Sequence, residues 1–215
     1  MTQHIMFDFD GTLVDTSEGI IKSMHYAFDQ MGVPRVEDCT IANVIGPPLE
    51  KMISILLHTE DNAYIKRAVS LFRERYSIHG VMELQLYPRV VSTLKELKST
   101  GRKLYIVTSK PQIYVEDICR KYDILSCFSG ITGVELLGNN LSKGDRMRLL
   151  MDKYSITPDN AIMIGDRPED AYAATQNKVE CIGIGYGFSN EEDLKSAGCN
   201  IVLNYFEQLI EVITK

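Results

Sequence analysis

Two aspartates, Asp8 and Asp10, follow a short apolar run near the start of the chain. Side chains alternate faces along a strand, so residues two apart can point the same way at its end, and Gly11 then allows a sharp turn. Two carboxylates held close together repel each other unless a cation separates them or one is protonated. Mg²⁺ prefers oxygen ligands, so the stretch indicates a magnesium site in which a carboxylate could act as nucleophile. An ordinary strand with an Asp-Gly turn explains the same residues equally well.

Polar residues also follow two later apolar runs and start one helix. Residues 104–107 lead into Thr108-Ser109, residues 161–164 lead into Gly165-Asp166, and Lys143 stands at the predicted start of a helix between them. Ligands of parallel α/β sheets bind at the carboxyl ends of the strands. We therefore expect these residues to gather on one rim with the first pair of aspartates.

Together the rim residues make a recognisable set of chemical groups. Asp8, Asp10 and Asp166 would form a metal site, Thr108 would supply a hydroxyl donor, and Lys143 would supply a fixed cation. Groups of this kind hold a phosphoryl group and stabilise its charge during transfer. The set favours the functional interpretation of the first stretch over the ordinary turn.

The elements that must position these residues predict an α/β fold. From residue 87 onward, apolar strands alternate with amphipathic helices, which is typical of a parallel sheet covered on both faces. Residues 16–82 contain helical periodicity only. We therefore predict a Rossmann-like, doubly wound core formed by residues 1–15 and 83–215, with an inserted α-helical domain at residues 16–82.

Several element boundaries are predicted from local signals. Pro111 fits the first turn of a helix. The stretch Ser189-Asn190-Glu191-Glu192 has the spacing of a capping box, and Asn204 with Glu207 indicates the start of the last helix. The pattern Gly183-x-Gly185-x-Gly187 has the wrong spacing and position for a phosphate-binding loop, so we interpret it as a turn.

Composition limits the classes of function. The chain has 215 residues and a net charge of −6, which argues against binding a nucleic-acid polymer. No apolar run approaches the length of a membrane span, and no secretory signal is visible at the N-terminus. The five cysteines are scattered without Cys-x-x-Cys spacing, which indicates buried free thiols in a reducing cytoplasm rather than a zinc site.

The ordered motifs resemble those of the haloacid dehalogenase-like superfamily of hydrolases. The resemblance rests on Asp8-Phe9-Asp10-Gly11-Thr12-Leu13, Thr108, Lys143 and residues 165–170, and it covers essentially the whole chain. The helical insert resembles the small cap domain of the phosphoglycolate phosphatase-like branch. Gly46-Pro47-Pro48-Leu49 and Thr108-Ser109-Lys110-Pro111 resemble phosphoglycolate phosphatases or 5′-nucleotidases. Pro88-Arg89 departs from the Pro-Gly common in that branch, and we expect the change to be harmless.

The resemblance implies a mechanism. Asp8 would attack phosphorus to form an aspartyl-phosphate, and Asp10 would protonate the leaving oxygen and later take a proton from water. Mg²⁺ would be held by Asp8, by the backbone carbonyl of Asp10 and by Asp166. Thr108 and Lys143 would bind phosphoryl oxygens.

The resemblance also implies supporting roles. Asp170 would orient Lys143 or a metal-bound water, although it could serve only as an early-turn acid of its helix. Gly11, counted with the phosphate-binding residues, and Thr12 would begin the flexible segment into the cap. Ser109 and Lys110 face either the substrate or the solvent, and we place Ser109 with the candidate phosphate-binding residues.

Several functions remain open on sequence alone. The first is a Mg²⁺-dependent phosphatase for a small phosphate monoester such as phosphoglycolate, a nucleoside monophosphate, a sugar phosphate or pyrophosphate. The second is a phosphotransferase or mutase of the β-phosphoglucomutase type. A dehalogenase would need neither Asp10 nor Asp166, and a non-catalytic binding protein would not need the intact motifs. The sequence indicates neither the oligomeric state nor the residues of the cap that contact substrate.

Overall fold

The computed structural model describes residues 2–135 and 141–213 of the chain. It divides into two compact units, the first formed by Met1–Val14 together with Leu86–Lys215, and the second by Asp15–Gln85. The boundaries predicted from sequence lie at 15/16 and 82/83. Among residues 2–135 and 141–213, none of the helices combines the length and the hydrophobicity of a membrane span.

The first unit is built on a six-stranded sheet. The strands of the described residues are β1 (His4–Phe7), β2 (Val14–Asp15), β3 (Gln85–Leu86), β4 (Lys103–Pro111), β5 (Phe128–Val134), β6 (Ala161–Gly165), β7 (Glu180–Ile184) and β8 (Ile201–Leu203). The order in the large sheet is β5-β4-β1-β6-β7-β8, and every pairing is parallel. This strand order confirms the predicted doubly wound, Rossmann-like α/β fold.

Helices alternate with these strands and also make up most of the second unit. They are α1 (Ser17–Gln30), α2 (Asp38–Ala42), α3 (Leu49–Leu57), α4 (Asn62–Ile78), α5 (Val90–Ser99), α6 (Gln112–Lys121), α7 (Lys143–Tyr154), α8 (Pro168–Gln176), α9 (Glu191–Ser196) and α10 (Gln208–Ile213). Strand β1 is buried throughout and pairs with β4 on one side and β6 on the other. Phe7, the last residue of β1, pairs with Ile106 and with Ile164, so the residues that follow these three positions lie close to one another.

The second unit is a helical assembly around an apolar interior. Phe28 of α1, Ile53 of α3 and Phe72 of α4 are buried in it, as the spacing of apolar residues in each helix predicts. The side chain of Asp61 caps α4 by accepting hydrogen bonds from Ala63 N and Tyr64 N. Helix α2 was not predicted, because five residues are too few to show a helical repeat.

Two predicted helix starts are wrong because strand and turn geometry take precedence over the local signal. Strand β4 runs to Pro111, which precedes α6 with an extended ψ of 129° instead of lying in its first turn. Helix α10 begins at Gln208. There the side chain of Gln208 accepts hydrogen bonds from Asn204 N and Tyr205 N, so Asn204 belongs to the preceding turn and does not cap the helix.

The capping residue of α9 is Asn190 instead of Ser189. Its side chain accepts a hydrogen bond of 2.9 Å from Asp193 N and donates one of 2.8 Å to the Asp193 carboxylate. Both residue types are good caps, and the acid three residues after Asn190 completes the reciprocal pair. The predicted helix therefore exists, but its cap lies one residue later.

The cysteine prediction is correct for four of the five thiols. Cys119, Cys127, Cys181 and Cys199 are buried and free, whereas Cys39 is free and exposed. Cys39 belongs to the short helix α2, which is too short to be recognised from its sequence pattern.

Arg89 adopts a backbone conformation that favours glycine. It precedes α5 with φ 63° and ψ 0°, so the departure from Pro-Gly at this position carries a conformational cost. We expect Arg89→Gly to raise the free energy of unfolding by about 0.5–1 kcal/mol, since relief of the left-handed strain exceeds the entropy lost by glycine. Urea unfolding measures the change. Arg120→Gly, in the exposed last turn of α6, is the control and should destabilise the protein by a similar amount.

Candidate active site

Three strands deliver the predicted residues to one edge of the sheet. Asp8 directly follows β1, and its backbone N–H extends the ladder by donating to Ile164 O at 2.8 Å. Thr108 lies in β4 and is buried, with its hydroxyl accepting a hydrogen bond of 3.1 Å from Lys110 N. Asp166 directly follows β6. Because β1 lies between β4 and β6, the three side chains emerge from neighbouring strands.

Three buried carboxylates form a group that can hold a cation. One oxygen each of Asp8, Asp166 and Asp170 lies within 4.8 Å of the others. Burial, reinforced by the charges of Asp8 and Asp170, raises the pKa of Asp166 well above its usual range. Burial also raises the pKa of Asp170 to about 7, against the opposing effect of Lys143. Such a cluster is destabilised by its own charge, and a bound cation would relieve that conflict.

Two buried oxygens of this group lack a hydrogen bond among the described residues: Asp170 Oδ1, which is ion-paired with Lys143, and Asp8 Oδ1, which is left for a ligand. Asp8 Oδ1 is buried and has no hydrogen-bond partner among residues 2–135 and 141–213. An unpaired buried carboxylate oxygen is costly, and carboxylate oxygens are the donors that Mg²⁺ takes. The residues therefore fit a magnesium ion.

Asp10 departs from the arrangement expected of a side-by-side pair with Asp8. Strand β1 ends at Phe7, and Gly11 N already donates to Val14 O at 2.8 Å in the following turn. Strand alternation therefore does not extend to Asp10. Its carboxylate lies outside the group of three acids and contacts Lys110 Nζ at 3.1 Å. Only its backbone carbonyl remains as the candidate metal ligand suggested by the resemblance.

Lys143 is the first residue of α7 and points into the site. Its Nζ lies 2.8 Å from Asp8 Oδ2 and 2.5 Å from Asp170 Oδ1. Burial alone would lower the pKa of Lys143, but the carboxylates of Asp170 and Asp8 outweigh it and raise the pKa. Ser142 caps α7 by accepting a hydrogen bond of 3.0 Å from Asp145 N. The helix start thus fixes a permanent ammonium beside Asp8.

Asp170 is held by its own helix and by a close approach to β6. Its Oδ2 accepts a hydrogen bond of 3.0 Å from Arg167 N at the start of α8. Gly165 leaves the space it needs, since a Cβ there would lie 2.2 Å from Asp170 Cγ. The Asp170 carboxylate is buried and contacts Lys143 Nζ. It therefore does more than stabilise the first turn of α8.

Asp166 is held in place partly by the glycine-rich turn after β7, which was not predicted to belong to the site. It accepts hydrogen bonds from Thr12 Oγ1 at 2.8 Å and from Phe188 N at 2.9 Å. A Cβ at Gly187 would lie 2.3 Å from Asp166 Cβ, and one at Gly11 would lie 2.1 Å from Asp166 Oδ2. The glycine-rich stretch after β7 is therefore part of the site. Its position after a strand of the same sheet was the available signal.

Two further basic residues lie near the site: Lys110, whose direction the sequence left open, and Arg146, which was not identified from sequence. Lys110 is buried, which excludes the solvent-facing alternative, and its Nζ lies 3.1 Å from Asp10 Oδ1. Arg146 of α7 is buried and donates to Ser109 Oγ at 3.1 Å and to Leu141 O at 2.5 Å, and burial lowers its pKa. Lys110 is two residues from Thr108 on the same strand, so strand alternation was the available signal.

The assembled groups have complementary chemistry. Asp8 offers a buried carboxylate oxygen, and Lys143 offers a fixed positive charge next to it. Asp10 offers a second carboxylate, 21 % exposed at its side chain. Preorganised charges of this kind stabilise a group on which negative charge develops. The arrangement suits transfer of an anionic group to a carboxylate nucleophile.

Comparisons with known proteins agree with this chemistry. A family model described as haloacid dehalogenase-like hydrolase matches residues 5–184. A 5′-nucleotidase of Pseudomonas aeruginosa is 35% identical over 90% of this chain and 87% of that protein. A phosphoglycolate phosphatase of Aliivibrio fischeri is 27% identical over 98% of this chain and 96% of that protein. The crystal structure of a "predicted phosphatase" from Clostridium acetobutylicum superposes with a TM-score of 0.93 at 32% identity, covering 100% of this chain and 99% of that one.

Proposed function

The chain belongs to the haloacid dehalogenase-like hydrolase family and is a phosphoric monoester hydrolase, and we propose that it is Mg²⁺-dependent and works through an acyl phosphate formed on Asp8. One observation carries the proposal. Asp8 is a buried carboxylate with one oxygen next to Lys143 and the other oxygen unpaired. A carboxylate nucleophile needs a free oxygen and a nearby positive charge for the phosphoryl group it attacks.

Two transfers complete the proposed reaction. An oxygen of Asp8 attacks phosphorus, the bond from phosphorus to the leaving oxygen breaks, and Asp10 gives that oxygen a proton. A water molecule then attacks the phosphorus of the aspartyl-phosphate while Asp10 takes back a proton. Inorganic phosphate leaves and Asp8 is regenerated, so the enzyme returns to its initial state.

The remaining residues hold the phosphoryl group and the ion. Mg²⁺, held by Asp8, Asp166 and the backbone carbonyl of Asp10, would supply positive charge against the phosphoryl oxygens. Thr108, Ser109 and Lys143 would bind those oxygens. The hydrogen bonds from Thr12 Oγ1 and Phe188 N hold the Asp166 carboxylate in place before an ion binds.

The substrate is a small phosphate ester. In this proposal the second unit determines which ester is bound. We assign residues 16–82 as a cap domain that excludes water when it closes over the substrate. The Pseudomonas and Aliivibrio relatives make nucleoside 5′-monophosphates and phosphoglycolate the first esters to test. The buried free thiols support a reducing compartment such as the cytoplasm.

Phosphate release from a panel of monoesters tests the proposal. We expect release from at least one nucleoside monophosphate or phosphoglycolate in Mg²⁺, loss of release in excess EDTA, and recovery when Mg²⁺ is restored. Metal removal should leave the folded protein intact, as circular dichroism would check. Hydrolysis that persists without a divalent ion would contradict the metal assignment. Movement of phosphate between hydroxyls of a sugar, without release, would establish the phosphotransferase instead.

A further inference from the structure

Lys110 and Asp10 form an ion pair within the first unit. Lys110 Nζ lies 3.1 Å from Asp10 Oδ1, and the exposed fractions of the two side chains are 4 % and 21 %. Lysine is almost never buried to this extent without a partner, because an isolated ammonium loses its hydration on burial. The ammonium therefore stays with the carboxylate, and Asp10 is held in one orientation.

The backbone of Lys110 is fixed from three sides. Its N–H donates to Thr108 Oγ1 at 3.1 Å, and Pro111 restricts it to an extended conformation. On the neighbouring strand, a Cβ at Gly133 would lie 2.6 Å from Lys110 O, so β5 packs directly against this point of β4. The ammonium thus reaches Asp10 from a rigid support.

The two buried lysines of the site contact different aspartates. Lys143 contacts Asp8 and Asp170, whereas Lys110 contacts Asp10. In the proposed function Asp8 is the nucleophile and Asp10 is the acid that protonates the leaving group. Each lysine therefore contacts one of the two carboxyl groups that act together in the first transfer.

We infer that Lys110 is a positioning residue that holds the Asp10 carboxyl group in line with the leaving oxygen of the ester. The inference rests on the proposed function. As the bond from phosphorus to the leaving oxygen breaks, the proton carried by Oδ2 of Asp10 moves to that oxygen, while Lys110 Nζ donates to the unprotonated Oδ1 and keeps the acid within reach. Lys110 itself exchanges no proton and does not touch phosphorus.

The inference predicts a dependence on the leaving group. An alkoxide is a poor leaving group and needs the proton of Asp10, whereas 2,4-dinitrophenolate departs as an anion without one. A misplaced Asp10 therefore slows alkyl phosphates and spares 2,4-dinitrophenyl phosphate. A lysine that only stabilised the fold or bound the phosphoryl group would affect both esters alike.

Lys110→Met tests this prediction through kcat/KM, which reports the transfer to Asp8 without the later hydrolysis. We expect a fall of about 30- to 100-fold for the best alkyl phosphate of the panel, the size of a misplacement effect. For 2,4-dinitrophenyl phosphate we expect a change of less than about threefold, since no proton is required. Lys103→Met, at the exposed start of the same strand, is the matched control and should leave both values unchanged.

A double variant separates positioning from other roles. If Lys110 acts through Asp10, then Lys110→Met combined with Asp10→Asn loses no more alkyl phosphatase activity than Asp10→Asn alone. Equal losses for the two esters, or additive losses in the double variant, would overturn the inference. Lys110→Gln replaces Lys110→Met if the methionine variant does not fold, as judged by its thermal unfolding. Failure of the proposed function would be distinct, since the unaltered enzyme would then hydrolyse neither ester.

Discussion

Asp8→Asn is expected to lower kcat for phosphate release at least about a thousandfold, as the loss of a nucleophile does. The amide has the shape of the carboxylate and can still accept a hydrogen bond from Lys143, which lies 2.8 Å from Asp8 Oδ2. The surroundings of residue 8 are therefore preserved while its nucleophilicity is lost. Steady-state phosphate release on the best ester of the panel measures the change. Asp117→Asn, on the exposed face of α6, is the control and should retain full activity.

The same variant should be more stable than the unaltered protein when no metal is present. The charge of Asp8 contributes to the raised pKa of both Asp166 and Asp170, so its removal relieves repulsion among buried carboxylates. We expect the free energy of unfolding in EDTA to rise by about 1 kcal/mol, as for other active-site residues that cost stability. A variant that is both inactive and less stable would show instead that Asp8 mainly supports the fold.

Lys143→Met is expected to lower kcat/KM by about a hundred- to a thousandfold, the usual cost of removing one preorganised donor to a developing charge. The methionine fills a similar volume but leaves the phosphoryl oxygens without a fixed positive charge at this position. Lys153→Met, in the last turn of the same helix, is the control and should not change the rate. A loss below about tenfold would mean that Lys143 serves mainly to neutralise its two carboxylate partners.

Stability separates Lys143→Met from Asp8→Asn. Without Lys143, the carboxylates of Asp8, Asp166 and Asp170 have lost the ammonium that lies 2.5 Å from Asp170 and 2.8 Å from Asp8. Their repulsion increases, so we expect a lower unfolding temperature in EDTA and recovery in Mg²⁺. The two variants thus share a loss of activity but shift the metal-free stability in opposite directions, which thermal unfolding in EDTA and in Mg²⁺ measures.

The sheet and its edge could be predicted because they depend on rules that act along the chain. Each apolar run predicts a buried strand, and parallel strands bring their carboxyl ends to the same edge of the sheet. Those two rules suffice to place Asp8, Thr108 and Asp166 side by side. Lys143 follows from the start of an intervening helix. The family match and the parallel sheet confirm the predicted resemblance and fold class.

The pairs that complete the site could not be predicted because they join distant parts of the chain. Lys110 and Asp10 are 100 residues apart, and Arg146 and Ser109 are 37 apart. In neither pair does the local sequence around one residue indicate its partner. Strand alternation also failed at Asp10, because the strand stops at Phe7 and the turn at Gly11 changes the direction of the backbone.

The contribution of the glycines after β7 to the site was missed for a related reason. The spacing of Gly183, Gly185 and Gly187 argued correctly against a phosphate-binding loop, but it concealed a different need for small residues. Gly187 is required by a contact with Asp166, which precedes it by a helix and a strand. A glycine that serves a distant neighbour has no signature in its own sequence window.

The two places where the chain leaves the first unit and returns to it are adjacent. It passes between the two units at 14/15 and again at 85/86, and the strands at these passages, β2 and β3, pair with each other. An insertion whose ends already meet adds little loop-closure entropy, whatever its length. The intervening segment is thus an exchangeable module. In the proposed function, replacing or redesigning this segment would change the substrate preference while the residues that carry out the chemistry stay the same.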